Sequence, residues 1–100
     1  MSTDELLDRA LHAIADPTRR RILQVLKDGA KSREAKGDAG RLCGGHIEER
    51  IQLTQPTISH HMAILTKAGL VEARKQGQWR WYRRNEKAIR QVLKTLRGNL

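Results

Sequence analysis

The hydrophobic period of this chain changes at Gly69, and that change constrains its fold more than any other feature. Residues 54–68 carry apolar side chains at helical spacing, with Ile58, Met62 and Leu65 on one face. Leu70 to Arg84 instead alternates as two short strands do, with Gly77-Gln78 at a hairpin tip. No linker separates the two patterns. A helix that stops at a glycine and passes straight into a hairpin is thus written into the local sequence.

The elements before and after it are delimited by capping and turn residues. Ser2-x-x-Glu5 is a capping box, in which each side chain satisfies the other residue's orphan backbone N–H. Leu6, Leu7, Ala10, Leu11 and Ile14 follow as one apolar stripe. Asp16-Pro17 restarts the chain: Asp16 can cap, and Pro17 suits a first helical position, where no N–H is needed. The second helix turns Ile22, Leu23, Val25 and Leu26 inward, carries Arg19, Arg20 and Arg21 in its first turn, and reaches Gly29, where a left-handed residue is expected. Residues 29–45 hold five glycines and a single large aliphatic, Leu42. With nothing to bury, this segment is expected to be a long flexible loop. A short helix with Ile47 and Ile51 comes next, Gln52-Leu53 turns the chain, and Thr54 is placed to cap the helix that ends at Gly69. Asn85 can cap a last helix with the stripe Ile89, Val92, Leu93 and Leu96. The expectation is a single domain over residues 1–100, mainly α with one β-hairpin, an α+β fold.

Composition narrows the function. At 38% hydrophobic residues the chain is apolar enough to fold, but Trp79, Trp81 and Tyr82 are its only aromatics, too few for a large aromatic-lined pocket. No paired carboxylates, nucleophile–base pair or phosphate loop supports an enzyme, and no cofactor is expected. No apolar run approaches the roughly 18–20 residues that cross a bilayer. The start, MSTDELLDRA, is acidic and amphipathic rather than signal-like, so a cytoplasmic location without membrane association is expected. One cysteine, Cys43, excludes an internal disulfide. Charge is unevenly placed. Residues 1–50 hold ten Lys/Arg and nine Asp/Glu, whereas residues 51–100 hold ten Lys/Arg against only Glu72 and Glu86. A second half carrying +8 points to a polyanion, nucleic acid first and an anionic membrane surface second.

Two helices joined by a short turn, with a hairpin directly after, describe a winged helix-turn-helix. On the wheel through residues 54–68, Pro56, Ser59, His60, Ala63 and Lys67 point away from the apolar face. Such small or hydrogen-bonding groups are what a major groove admits. Gln55 can pair bidentately with adenine, Thr57 and Ser59 can reach bases or phosphates, and His60 can donate to a phosphate or to guanine. The helix N-terminus itself favours a phosphate. In the hairpin, Arg74, Lys75, Arg80, Arg83 and Arg84 surround the glycine tip with Glu72 as the only acid, which matches a wing on the backbone or in a minor groove. The expected DNA-contacting set is Gln55, Thr57, Ser59, His60, Lys67, Arg74, Lys75, Arg80 and Arg83. Trp79 and Trp81 share a strand face and are expected to pack on the domain body in preference to stacking on DNA.

The segment LTQPTISHHMAILTKAGL (Leu53 to Leu70) closely resembles the recognition-helix region of ArsR-type winged-helix repressors. ADPTRRRILQVLKDG (Ala15 to Gly29) is similar to the second helix of that family, and GLVEARKQGQWRWYRRN (Gly69 to Asn85) to its wing. The resemblance spans nearly the whole chain outside the glycine-rich segment. It implies a homodimer, built mainly from the first and last helices, that binds a pseudo-palindromic double-stranded DNA operator and leaves it on a signal. The residues agree: the last helix has more apolar surface than a small core needs, and pairing with a two-fold mate would bury it. Leu7, Leu11, Ile89, Val92, Leu93 and Leu96 are the expected dimer residues, with fold-back on the first helix as the alternative or companion contact.

The inducer is not legible. Many members of the family sense metals through a Cys-x-Cys in the third helix or an Asp/His set on the last. Here Cys43 matches the first cysteine, but Gly45 replaces the second; Cys43 and His46 offer two ligands where a closed zinc site wants four. The last helix has Glu86 as its only acid and no histidine, so no metal site is expected. Cys43, flanked by glycines near Arg41, is alternatively an exposed redox-active thiol or an incidental cysteine. His61 reads as a hydrogen-bonded packing residue. The competing function is a winged-helix interaction module whose basic surface docks an acidic partner.

Overall fold

The computed structural model describes residues 2–29 and 41–100, in the order α1 (Thr3–Ile14), α2 (Pro17–Gly29), β1 (Leu42–Cys43), α3 (Gly44–Ile51), α4 (Gln55–Lys67), β2 (Val71–Gln76), β3 (Trp79–Arg84) and α5 (Glu86–Asn99). Capping explains most helix starts. Ser2 Oγ accepts from the Glu5 amide at 3.2 Å, Asp16 Oδ2 from the Arg19 amide at 3.0 Å, and Asn85 Oδ1 from the Ala88 amide at 3.1 Å. Thr54 occupies the cap position of α4 without making that bond; its hydroxyl lies 3.0 Å from Thr57 Oγ1 instead.

The α3–α4 turn is sharp because Gln52 adopts a left-handed conformation at φ 61°, a state that costs a non-glycine residue about 1 kcal/mol. At the other end of α4, Gly69 takes φ 79° and allows a double closure. The Leu70 amide donates to the Leu65 carbonyl at 3.1 Å and the Gly69 amide to that of Thr66 at 3.0 Å. This is a Schellman cap, with buried Leu65 and Leu70 as its apolar pair. It launches β2 from the end of α4 at a defined angle.

The strands form one antiparallel sheet of order β1-β3-β2. Register pairs Ala73 with Tyr82 and Lys75 with Arg80, while Leu42 pairs with Tyr82 from the other side. Leu42 and Tyr82 join Ala10, Ala13, Ile22, Leu26, Ile47, Ile51, Ile58, Met62, Leu65, Leu70 and Val71 in one core. Ile58, Met62 and Leu65 thus point inward as their spacing predicts.

The flexible-loop expectation for residues 29–45 is corrected at both ends, while residues 30–40 lie outside the described residues. Gly29 ends α2 without a left-handed φ, and a Cβ there would fall on the Leu42 side chain. Glycine is needed there for closeness. Leu42 is fully buried, a gain of about 2 kcal/mol for a leucine, and holds β1 against β3. Gly44 and Gly45 begin α3. The run of small residues hid one anchor.

Helix α5 packs on α1 and has no fully buried residue. Ile89 and Val92 lean on the core, while Leu93 is 57% and Leu6 50% exposed. Among the described residues no helix is long and apolar enough to cross a membrane.

Candidate nucleic-acid interface

Helix α4 and the hairpin β2–β3 face each other across a groove of about 780 Å³, entered also by the start of α3. Gln55, Ser59, Ala63 and Lys67 line it from α4, and Ala73, Trp79, Arg80 and Tyr82 from the hairpin. The floor is Ile58 and Met62, both buried. The groove therefore follows a flank of α4 that runs from buried Ile58 and Met62 out to exposed Gln55, Ser59, Ala63 and Lys67.

The expected contact residues fall into groups. Gln55, Ser59, Lys67 and Arg80 line the groove together. Gln55 Nε2 donates to Ser59 Oγ at 2.9 Å, which pre-orients two groups able to read base edges. Thr57 and His60 are exposed on α4. Lys75 is exposed and shares the strand face of Arg80, while Arg74 is exposed on the opposite face. Arg83 is engaged elsewhere: its Nε donates to Glu72 Oε2 at 2.7 Å, on the hairpin face opposite Arg80 and Tyr82. Arg84 pairs with Glu86 at 2.9 Å.

Trp79 departs from the expectation of packing: it is 55% exposed at the groove margin, whereas Trp81 is half-buried.

The first-turn arginines of α2 are structural, and sequence reasoning missed this. Arg19 is 8% exposed; its Nε donates to the Ala13 carbonyl at 2.6 Å and another guanidinium nitrogen to that of His12 at 3.3 Å. Its remaining nitrogen meets His61 Nδ1 on α4 at 3.2 Å. Arg20 donates to Ile14 O at 2.7 Å and Arg21 to Arg50 O at 3.3 Å. The three side chains satisfy carbonyls at the ends of α1 and α3, which helix geometry leaves unpaired. One signal was available: three cations in a first turn oppose the helix dipole, so another partner had to compensate.

Electrostatics at this junction follow from the same contacts. The Arg19 amide holds the Asp16 carboxyl below its ordinary value, aided by the Arg19 and His61 charges and opposed by burial. His61 is held below the usual imidazole value chiefly by burial, then by Arg19 and His60, with Asp16 pulling the other way.

Cys43 is buried at the N-cap of α3, its Sγ 3.3 Å from His46 Nδ1, and not an exposed thiol on a flexible segment. The two candidate ligands do meet, but among the described residues no group of three His, Cys, Asp or Glu side chains is placed to hold a metal. Of the expected dimer residues, Leu7 is corrected: at 7% exposed it is already buried within its own chain, and Leu6 is the exposed leucine of α1.

A helix-turn-helix of α3 and α4 followed by a two-stranded wing defines a winged helix-turn-helix protein. The sequence family described as "Helix-turn-helix domain" matches residues 14–74. An uncharacterised helix-turn-helix transcriptional regulator of Methanocaldococcus jannaschii is 38% identical over 82% of this chain and 81% of its own length. The arsenical resistance operon repressor of Staphylococcus aureus is 32% identical over 90% of this chain and 76% of its own. In three dimensions the chain resembles the homodimeric winged helix-turn-helix DNA-binding domain of a possible ArsR-family regulator from Mycobacterium bovis. That likeness has a TM-score of 0.68 at 24% identity, over 95% of this chain and 80% of that one. The chain belongs to the ArsR-type winged helix-turn-helix family of transcriptional regulators. Membership weighs against the acidic-partner module.

Proposed function

We propose that the chain is a homodimeric repressor that binds a specific double-stranded operator and leaves it on a signal, without catalysis of its own, in the cytoplasm. The observation that carries this reading is the shared groove, in which base-reading Gln55 and Ser59 on α4 face the same space as Arg80 on the wing. Gln55, Thr57, Ser59 and His60 read the major groove. Lys67, Arg74, Lys75 and Arg80 hold phosphates, which supply affinity and orientation. Arg83 is left out of the contact set because Glu72 engages it.

The dimer forms on α5 and α1. Leu6, Leu93 and Leu96, with the outer edges of Leu11, Ile89 and Val92, cover one another across the two-fold axis. Exposed Leu6 and Leu93 support this choice, because they are large apolar groups with half or more of their surface exposed.

The test is binding to random and selected duplexes over a salt series. Wild-type protein should bind with an affinity that falls steeply with salt, and Arg80→Ala should weaken all sequences and reduce the log–log slope by about 1. Salt-insensitive or absent binding to every duplex would overturn the reading.

A further inference from the structure

The DNA-facing helix is tied to the amino-terminal half of the chain by a bond that only a neutral histidine can make. A guanidinium has no lone pair to offer, so in the 3.2 Å contact between Arg19 and His61 the arginine donates and Nδ1 accepts. The imidazole therefore carries its single proton on Nε2. A second proton, on Nδ1, would abolish the bond and set an imidazolium against a guanidinium. Arg19 cannot step aside, because the carbonyls of Ala13 and His12 hold the rest of its head group and it is buried. The strain would have to be relieved by His61, which stands beside fully buried Met62 and next to outward-facing His60 on the same helix.

We propose that Arg19 is a positioning residue for DNA recognition: its bond to neutral His61 sets the pose of α4, and a proton on His61 releases that pose and weakens operator binding. The proposal rests on the DNA-binding reading above and assigns a further role within it.

The groups acting on His61 come from three places. Arg19 on α2 opposes its protonation; Asp16, in the turn between α1 and α2, favours it. His60, on α4 itself, has its ring centroid 5.8 Å away and opposes a second charge beside its own. Burial adds to the opposition. His60 also faces the DNA, where its own proton would strengthen phosphate contact and so act on affinity in the opposite sense.

The experiment isolates His61 by comparing wild type with His61→Asn, in which an amide oxygen near the position of Nδ1 accepts from Arg19 at every pH. Affinity for a duplex selected by wild-type protein is measured from about pH 7.5 down to about pH 4.5 at fixed salt, a range carried below ordinary histidine titration because His61 is held below it. The same comparison is repeated in a His60→Gln background, where the neighbouring ring and its coupling to His61 are absent. Wild type should lose roughly ten-fold more affinity on acidification than His61→Asn, within the usual range of coupling between sites. Nitrogen NMR of the wild-type imidazoles at neutral pH should show His61 Nδ1 unprotonated. Equal ratios in the two proteins, or a proton on Nδ1 at neutral pH, overturn the proposal while leaving the DNA reading intact. Absence of salt-dependent binding by wild type at neutral pH overturns both.

Discussion

Arginine does opposite work at the two ends of this molecule. In the triplet Arg19–Arg21 every side chain donates to a backbone carbonyl, and Arg19 is buried. In the wing, Arg74, Lys75 and Arg80 are exposed and have no acid or carbonyl partner among the described residues. The difference is set by what lies within reach. Two helix ends converge on the triplet and offer carbonyls that need donors; the hairpin tip projects into solvent and offers none. Cations with internal partners hold the fold, and cations without them are available to phosphate.

The harshest way to test this contrast is Arg19→Ala. Removing it leaves the buried Ala13 carbonyl without its donor and breaks the bond to His61, and should destabilise the chain by about 3 kcal/mol in urea unfolding, whereas Arg80→Ala should cost under about 0.5 kcal/mol. Comparable losses would erase the distinction. Next in size, Ser59→Ala and His60→Ala should each lower affinity for a selected operator by about 1–3 kcal/mol in fluorescence anisotropy while leaving random duplexes little changed. A uniform loss on all duplexes would move those residues into the phosphate-holding class.

Acid should act on the internal cluster and not on the wing. His61 is held below its ordinary value of 6.5, so the folded state binds its proton less readily than the unfolded chain does. Its contribution to stability is complete above that ordinary value and is lost as pH falls below it through the folded value. Asp16, held below 3.8, adds stability that is lost only on further acidification, as pH falls through its own folded value. Urea midpoints across pH should decline below the histidine range in wild type, and less in His61→Asn. A small effect also belongs to the ion pair on the back of the wing. Glu72→Gln should change stability by less than about 1 kcal/mol, because both partners are some 40% exposed. If the same substitution raised DNA affinity, freed Arg83 would rejoin the contact set.

Much of the architecture was legible because it is local. Ser2, Asp16 and Asn85 are caps that act within three residues, and the closure at Gly69 uses bonds that span three and five residues. The wheel of α4 placed Ile58, Met62 and Leu65 inward and Pro56, Ser59, His60, Ala63 and Lys67 outward, and of the outward set Ser59, Ala63 and Lys67 line the groove, since helical geometry decides which side chains share a face. The candidate interface followed from that division.

What the sequence by itself determined, then, was the order of elements, the two faces of α4 and the sign of the surface around it. Tertiary structure alone decided which residues that surface spends on the fold. Leu42 looks stranded among glycines until β3 and Gly29 come within reach of it. Leu7 and Leu6 are adjacent in one apolar stripe, yet only Leu7 is buried within the chain. Arg19 reads as one of three equivalent cations until α1 and α4 arrive around it, and Arg83 as an unpaired wing cation until Glu72 pairs with it. Periodicity reports direction from the element's own axis, whereas burial and pairing depend on groups brought close from distant positions, and no local pattern encodes those.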